Sequence, residues 1–383
     1  MNGKMDVPMY KHNLHGHDID ALGEEFKRIL SGLTISTGPV NKEVQQQFAA
    51  YMGTDYCILT NNWTSGAIAA MLTLGIGPGD EVIVPSMTFG ASANVVELVG
   101  ANTRIVDIDP YTKLMDIDQC LAAVNEKTKA VMPVHLYGQM VDMKELRQRL
   151  PSHIKIIEDA AHAIESIRDG YKPGAFSDFA IFSFYAGKTM TTGEGGAMVT
   201  NQKALHDRFK IVYRHGIDLS GYQRHILQHY VPSDPTDLGI KANLPDLLAI
   251  LLPPQIKVAD ETRTKRQRIA GIYDLAFDSI DEIEIPSRVA NSEHAHWAYA
   301  IGVDPARRFD IMEEFHVRGI RTTTHFTALH ETIYYKNKYG HRPEDFPVSH
   351  QWGQSTMSIP LFPTMTDEEQ WYVIKNLIDI VRS

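Results

Sequence analysis

The chain is poor in cysteine: two residues, Cys57 and Cys120, in 383, far apart and without a CxxC spacing. That argues against a disulfide framework and for reduced thiols in a cytoplasmic protein. It is also short of positive charge, with 37 Lys and Arg against 47 Asp and Glu and a formal net charge of −10. An acidic balance speaks against a nucleic-acid surface. No apolar run approaches the ~18 residues that a membrane-spanning helix needs, so no membrane partner is expected. The first residues, MetAsnGlyLysMetAspValProMet, have no apolar core of the kind a secretory signal carries.

What is present is ordinary globular composition, 43% hydrophobic and 22% charged, in a chain long enough for two domains of roughly 100 to 200 residues each. Leu22, Phe26, Ile29 and Leu30 recur at helical spacing, and a second helical stretch, Val44 to Met52, follows the turn-rich SerThrGlyPro at 36–39. From there short apolar runs alternate with helices. Strands are expected at 56–60, 81–85, 104–108, 130–134, 155–159 and 179–183, and a helix at 64–72. This rhythm predicts an α/β fold: a doubly wound, mostly parallel sheet that binds ligands at the carboxyl ends of its strands. The rhythm breaks in a polar excursion at 217–245 that includes HisTyrValProSerAspPro at 229–235. The division that follows is a large domain over 15–252 and a smaller α+β domain over 253–383. The small domain would open with a helix whose Lys257, Arg263, Lys265, Arg266 and Arg268 form a solvated face, and would hold a strand at 296–303.

The densest chemical signal runs from Ser183 to Asn201. Lys188 lies there between a strand end and the glycines Gly193, Gly195 and Gly196, where an amine can be held in a cleft; the plainer alternative is a surface lysine beside a tight hairpin. A second signal, GluAspAlaAlaHisAla at 158–163, puts Asp159 at the end of an apolar strand, where a helix N-cap is the plain alternative. An acid and a lysine, both at carboxyl edges of one sheet, suit a pyridinium cofactor: the carboxylate keeps the ring nitrogen protonated and the lysine holds the aldehyde. A third, AsnAsnTrpThrSerGly at 61–66, opens a helix with small residues, a phosphate site or an ordinary capped helix. GlyIleGlyProGly at 75–79 precedes a strand rather than following one, so it reads as a turn and not as a dinucleotide fingerprint. His12, His15 and His17 cluster without a nearby Cys, and His294 and His296 alternate on a presumed strand without a third ligand; no metal site is expected.

Together these segments, with ProSerMetThrPhe (85–89), ValHisLeuTyrGlyGln (134–139) and GlyIleLysAlaAsnLeuProAsp (239–246), resemble the DegT/DnrJ/EryC1/StrS nucleotide-sugar aminotransferases over nearly the whole chain. The resemblance implies the fold-type-I aminotransferase architecture, pyridoxal 5′-phosphate (PLP, alternating with its pyridoxamine form, PMP) as cofactor, and a homodimer with shared active sites. Carried over by residue, Lys188 is the Schiff-base lysine and Asp159 the partner of the pyridine nitrogen. Phe89 stacks on the cofactor ring; Thr64, Ser65 and Ser183 hold its phosphate. His162 stands where the family usually has the Gln that bonds the phenolic oxygen. Asn243 and Lys241, in a LysXAsn variant of the family's GlyXAsnXArg stretch, reach the phosphate from the neighbouring subunit, although Lys241 reads equally well as a solvated lysine. Tyr185, His325 and Gly38 are matched to the sugar, with alternatives for each: Tyr185 as a packing residue, His325 as a strand-end or surface histidine, and Gly38, more plainly, as a turn glycine.

The activity so implied is a ping-pong transfer of the amino group of L-glutamate to a nucleotide-linked keto-sugar, for surface polysaccharide such as lipopolysaccharide O-antigen. Lys188 argues against the dehydratases of the family, which carry His in its place. The LysXAsn variant and ArgHisGly at 214–216 resemble the enzymes that aminate a 4-keto-6-deoxy sugar. The alternatives are a 3-keto-sugar aminotransferase and a relative that binds cofactor without turnover.

Overall fold

Seven short segments assemble into one sheet in the computed structural model, which describes residues 4–12, 14, 19–32, 34–218, 227, 232 and 234–383. The strands are β1 (Tyr56–Thr60), β2 (Glu81–Pro85), β3 (Asn102–Val106), β4 (Thr128–Val131), β5 (Lys155–Asp159), β7 (Phe179–Ser183) and β8 (Gly196–Thr200). Their order is β1-β8-β7-β5-β4-β2-β3. β3, β2, β4, β5 and β7 pair in parallel, and only β8 runs against its neighbours β7 and β1. A short β6 (Ile167–Arg168) pairs outside this sheet with β9 (Ser292–Glu293), and β10 (Tyr299–Gly302) pairs with β11 (Thr356–Ile359). Four strands match their expected bounds, while those expected at 104–108, 130–134 and 296–303 sit at 102–106, 128–131 and 299–302. Polar Asn102, Thr103 and Thr128 join the ladder by pairing with β2, which composition does not show, and the expected runs extend beyond the hydrogen-bonded segment at their other ends.

Both faces of the sheet are covered around β7 and β8, which are buried at every position, whereas β3 and β4 expose Asn102, Arg104 and Lys129. In β7, Phe179 and Ile181 pack with the helices Trp63–Leu74 and Lys203–Val212, while Ala180 and Phe182 pack with the helix Pro39–Met52. β7 turns back into β8 at a point that admits no side chain: a Cβ on Gly196 would lie 2.7 Å from the Phe182 carbonyl oxygen. A second core forms from β10, β11, the helix Ala259–Phe277 and the C-terminal helix Asp367–Val381, and Val7 joins it.

The face of the helix Ala259–Phe277 is not the solvated one expected. Lys265 and Arg268 are exposed, but Arg263 and Arg266 are buried, 8% and 2% accessible. Charge alone does not show which turn of a helix faces a buried carboxylate, and here Glu165 waits for Arg266. His294 and His296 lie outside any strand, in the loop between β9 and β10, with their rings stacked 3.9 Å apart. Both cysteines are free and buried. His15, His17 and most of the 229–235 segment lie outside the described residues. Among the described residues no helix is long and apolar enough to cross a membrane, and no three His, Cys, Asp or Glu side chains converge as a metal site.

Candidate active site

Parallel strands leave their carboxyl ends open where the chain departs to opposite faces of the sheet, and the chemistry gathers there. β5 ends on Asp159. No helix follows, so the N-cap alternative falls; Asp159 Oδ1 accepts the Ala161 N–H at 3.1 Å and Oδ2 accepts the Ser92 hydroxyl at 2.7 Å. Burial raises the carboxyl pKa, and the Ser92 and Ala161 hydrogen bonds and the Lys188 charge pull against that rise. β7 ends on Ser183, and the loop to β8 carries Lys188 back over the same edge. Its Nζ lies 4.0 Å from the ring centre of Trp297. Burial lowers the amine pKa to about 7, with the Asp159 charge opposing.

The third strand end, β1, runs into the helix Trp63–Leu74. Asn62 caps it, accepting the Ser65 N–H at 2.8 Å, and the Ser65 hydroxyl also bonds Asn61. The first turn thus presents the positive end of the helix dipole to the cavity. Thr64, Phe89, Asp159, His162, Ser183, Tyr185 and Lys188 all line one cavity of about 480 Å³. Ser65 stands one residue beyond Thr64 in the same turn. Phe89 and Tyr185 are the exposed members, at 62% and 49%. The His162 ring lies flat on Trp297, 3.6 Å between centroids, and its Nδ1 is buried with no hydrogen-bond partner. Burial and the Lys188 charge hold this imidazole well below the usual histidine range, hence neutral.

His325 comes in from the other side. Its ring sits 4.7 Å from Trp297 and its Nδ1 is 2.9 Å from the Ser358 hydroxyl; burial and Lys188 push its pKa down to about 3. His330 turns away and is buried against the Ser86 hydroxyl at 2.6 Å. Gly38 does not reach the cavity: its N–H bonds Asp246 at 2.9 Å, and it borders a separate cavity of about 770 Å³. Asn243 and Lys241 are likewise outside the Lys188 cavity of the same protomer. Lys241 is exposed, and Asn243 is buried, with Nδ2 on the Ser36 hydroxyl at 2.9 Å and Oδ1 unpartnered.

Trp297, Phe326 and Ser92 were not legible as site residues. Trp297 and Phe326 line the cavity, and the Phe326 ring lies 5.7 Å from Phe89. In sequence an aromatic beside a strand reads as core. Only ThrThrThrHisPhe, already singled out for His325, pointed near Phe326.

The family model of the DegT/DnrJ/EryC1/StrS aminotransferase family matches residues 18–378. The chain belongs to that family. It is therefore an enzyme of the aminotransferase class, and its seven-stranded, mostly parallel sheet matches that architecture. Among curated relatives it is 33% identical, over 94% of each chain, to the spore coat polysaccharide biosynthesis protein SpsC of Bacillus subtilis (strain 168). Among solved structures it superposes with a TM-score of 0.89 and 28% identity on Spr1654 of Streptococcus pneumoniae, provisionally named a sugar aminotransferase, in its PMP form; 100% of this chain and 99% of that one are covered. DesV of S. venezuelae, solved in complex with a ketimine intermediate, gives a TM-score of 0.91 at 27% identity over 99% of each chain.

Proposed function

We propose that the protein uses pyridoxal 5′-phosphate to move the amino group of L-glutamate onto a nucleotide-linked keto-sugar, most simply a 4-keto-6-deoxy sugar, yielding an amino-sugar for a surface polysaccharide. The observation that carries this reading is a lysine amine with a pKa of about 7 sharing one strand-end cavity with a buried carboxyl. The residues fit the cofactor. Asp159 is a buried acid suited to a protonated pyridine nitrogen, the unpartnered His162 Nδ1 suits the phenolic oxygen, and the Asn62-capped turn with Thr64, Ser65 and Ser183 suits the phosphate. Phe89 supplies a face for the ring. The PLP and PMP forms of Spr1654 and the polysaccharide role in the name of SpsC support the same reading.

When bound, the cofactor supplies an electron sink that makes the C–H beside the donor nitrogen acidic. The rest is done by the chain. Lys188 Nζ is half neutral near pH 7, so it can take a proton from carbon and return it without a strong driving force either way. Asp159 holds the proton on the ring nitrogen through its charge, and Ser92 and Ala161 fix the orientation of its two oxygens. His162 and His325 stay neutral beside Lys188, so they add no competing positive charge. Tyr185, the exposed polar residue of the cavity wall, stands where the sugar would enter, while His325 lies beyond the wall against Trp297.

The reading includes a cytoplasmic homodimer in which Asn243 and Lys241 of one subunit serve the other's phosphate site. The exposed Lys241, outside its own subunit's cavity, supports this arrangement, and Asn243 would serve a phosphate through Nδ2, which here donates to the Ser36 hydroxyl. The test is mass spectrometry of products after incubation with glutamate and a panel of 4-keto and 3-keto nucleotide-sugars. Gain of nitrogen on 4-keto substrates supports the proposal. Gain on 3-keto substrates alone overturns the regiochemistry, and no gain on any leaves a cofactor binder.

A further inference from the structure

Lys188 is flanked by two residues that are each held from outside its own loop. On one side the Gly187 carbonyl accepts the Trp297 indole N–H at 2.9 Å. On the other the Thr189 hydroxyl donates to Glu165 Oε2 at 2.8 Å. Both tethers lead to one side chain. Arg266, on the helix Ala259–Phe277, pairs through Nη2 with Glu165 Oε1 at 3.0 Å, and its Nε donates to the Ala295 carbonyl at 2.7 Å, two residues before Trp297. The circuit closes around the lysine: Gly187, Trp297, Ala295, Arg266, Glu165, Thr189. Arg263 adds a bond from Nη1 to the Glu165 carbonyl at 2.9 Å. Glu165 is fully buried, and Arg266 and Thr189 are 2% and 9% accessible.

We propose that Arg266, Glu165, Thr189 and Trp297 form a positioning unit that aims the Lys188 amine into the cavity. A buried ion pair is a poor source of stability, because desolvation offsets the attraction and a well-packed apolar pair often serves as well. What this one supplies is geometry. A lysine stem has four flexible bonds; fixing the peptide on both sides sets where the stem begins, and Trp297 at 4.0 Å from Nζ bounds where the amine ends. Precision of this kind matters for a group that must meet one carbon atom, since a displacement of about 1 Å costs on the order of a hundredfold in rate. None of the four residues carries out the chemistry. They act through Lys188, and Arg266 comes from a helix outside the catalytic sheet.

The proposal rests on the reading of Lys188 as the cofactor lysine, and the experiment separates the two. Thr189→Val removes only the hydroxyl, Thr189→Ser keeps it, and Trp297→Phe keeps a ring without the N–H. On cofactor-free protein, three quantities are measured: the rate at which pyridoxal 5′-phosphate becomes borohydride-trapped on Lys188, the affinity for pyridoxamine 5′-phosphate, which needs no lysine linkage, and the melting temperature. The expected result is a roughly tenfold slower linkage in Thr189→Val and Trp297→Phe, recovery in Thr189→Ser, and pyridoxamine 5′-phosphate affinity within about twofold of wild type in the two Thr189 variants, which lie outside the cavity wall. Equal linkage rates in all variants overturn the positioning role while leaving the lysine assignment intact. So does a parallel fall of rate, affinity and melting temperature, which marks a purely structural network. A wild-type protein that forms no linkage overturns both.

Discussion

The amine of Lys188 gives the sharpest prediction. An ordinary lysine of pKa 10.5 is neutral in about 0.03% of molecules at pH 7, whereas a group at about 7 is neutral in half. Lys188 in cofactor-free protein therefore carries on the order of a thousandfold more neutral amine at pH 7 than an exposed lysine. Part of its side chain remains open to solvent through the cavity, so a small reagent reaches it. Trace acetylation with acetic anhydride between pH 5 and 10, followed by peptide mass spectrometry, reads the titration directly, with exposed Lys265 as internal reference. The expected midpoint for Lys188 is near 7. Asp159→Asn moves it lower still, because the Asp159 charge favours the ammonium. The same shift acts on stability. Between about 7 and 10.5 the unfolded chain binds a proton that the folded amine does not, so the cofactor-free protein gains stability as pH rises through that window. A midpoint within one pH unit of that of Lys265 refutes the argument, because burial would then not govern the amine.

Three further outcomes follow from the packing around the site. His135 accepts the Val141 N–H on Nδ1 at 3.2 Å, so its Nε2 carries the proton and donates to fully buried Glu158 at 2.6 Å. His135→Ala leaves that carboxylate oxygen unpaired and should cost roughly 3 to 5 kcal/mol in urea unfolding, a loss below about 1 kcal/mol counting against it. Asn62→Ala removes the cap of the helix Trp63–Leu74 and should cost about 1 kcal/mol in thermal unfolding, with an unchanged midpoint as the contrary result. Gly196→Ala sets a Cβ 2.7 Å from the Phe182 carbonyl oxygen and 2.9 Å from the Asn62 carbonyl carbon, both backbone. It should cost at least about 1 to 3 kcal/mol, and a variant as stable as wild type would show that β8 can shift.

How much of this was legible beforehand depended on range. β1, β2, β5 and β7 were readable because each is a short apolar run with turn residues at both ends, a signal local to about ten residues. Lys188, Asp159 and the helix start at Asn62 were readable for the same reason: each sits at the end of such a run, and parallel strands bring those ends to one edge. β8 was hidden, since its glycines look like a turn, although they answer to the close approach of Phe182 and Asn62. Which arginine of the helix Ala259–Phe277 enters the protein, that Trp297 lies against both His162 and Lys188, and that Gly38 falls in a different cavity could not be read, because each depends on where a partner about a hundred or more residues away comes to rest. Local patterning thus determined the sheet and the two groups that bracket the chemistry. Tertiary structure decided the environment that sets their proton affinities and directions, because desolvation and aim arise from atoms contributed by the whole chain.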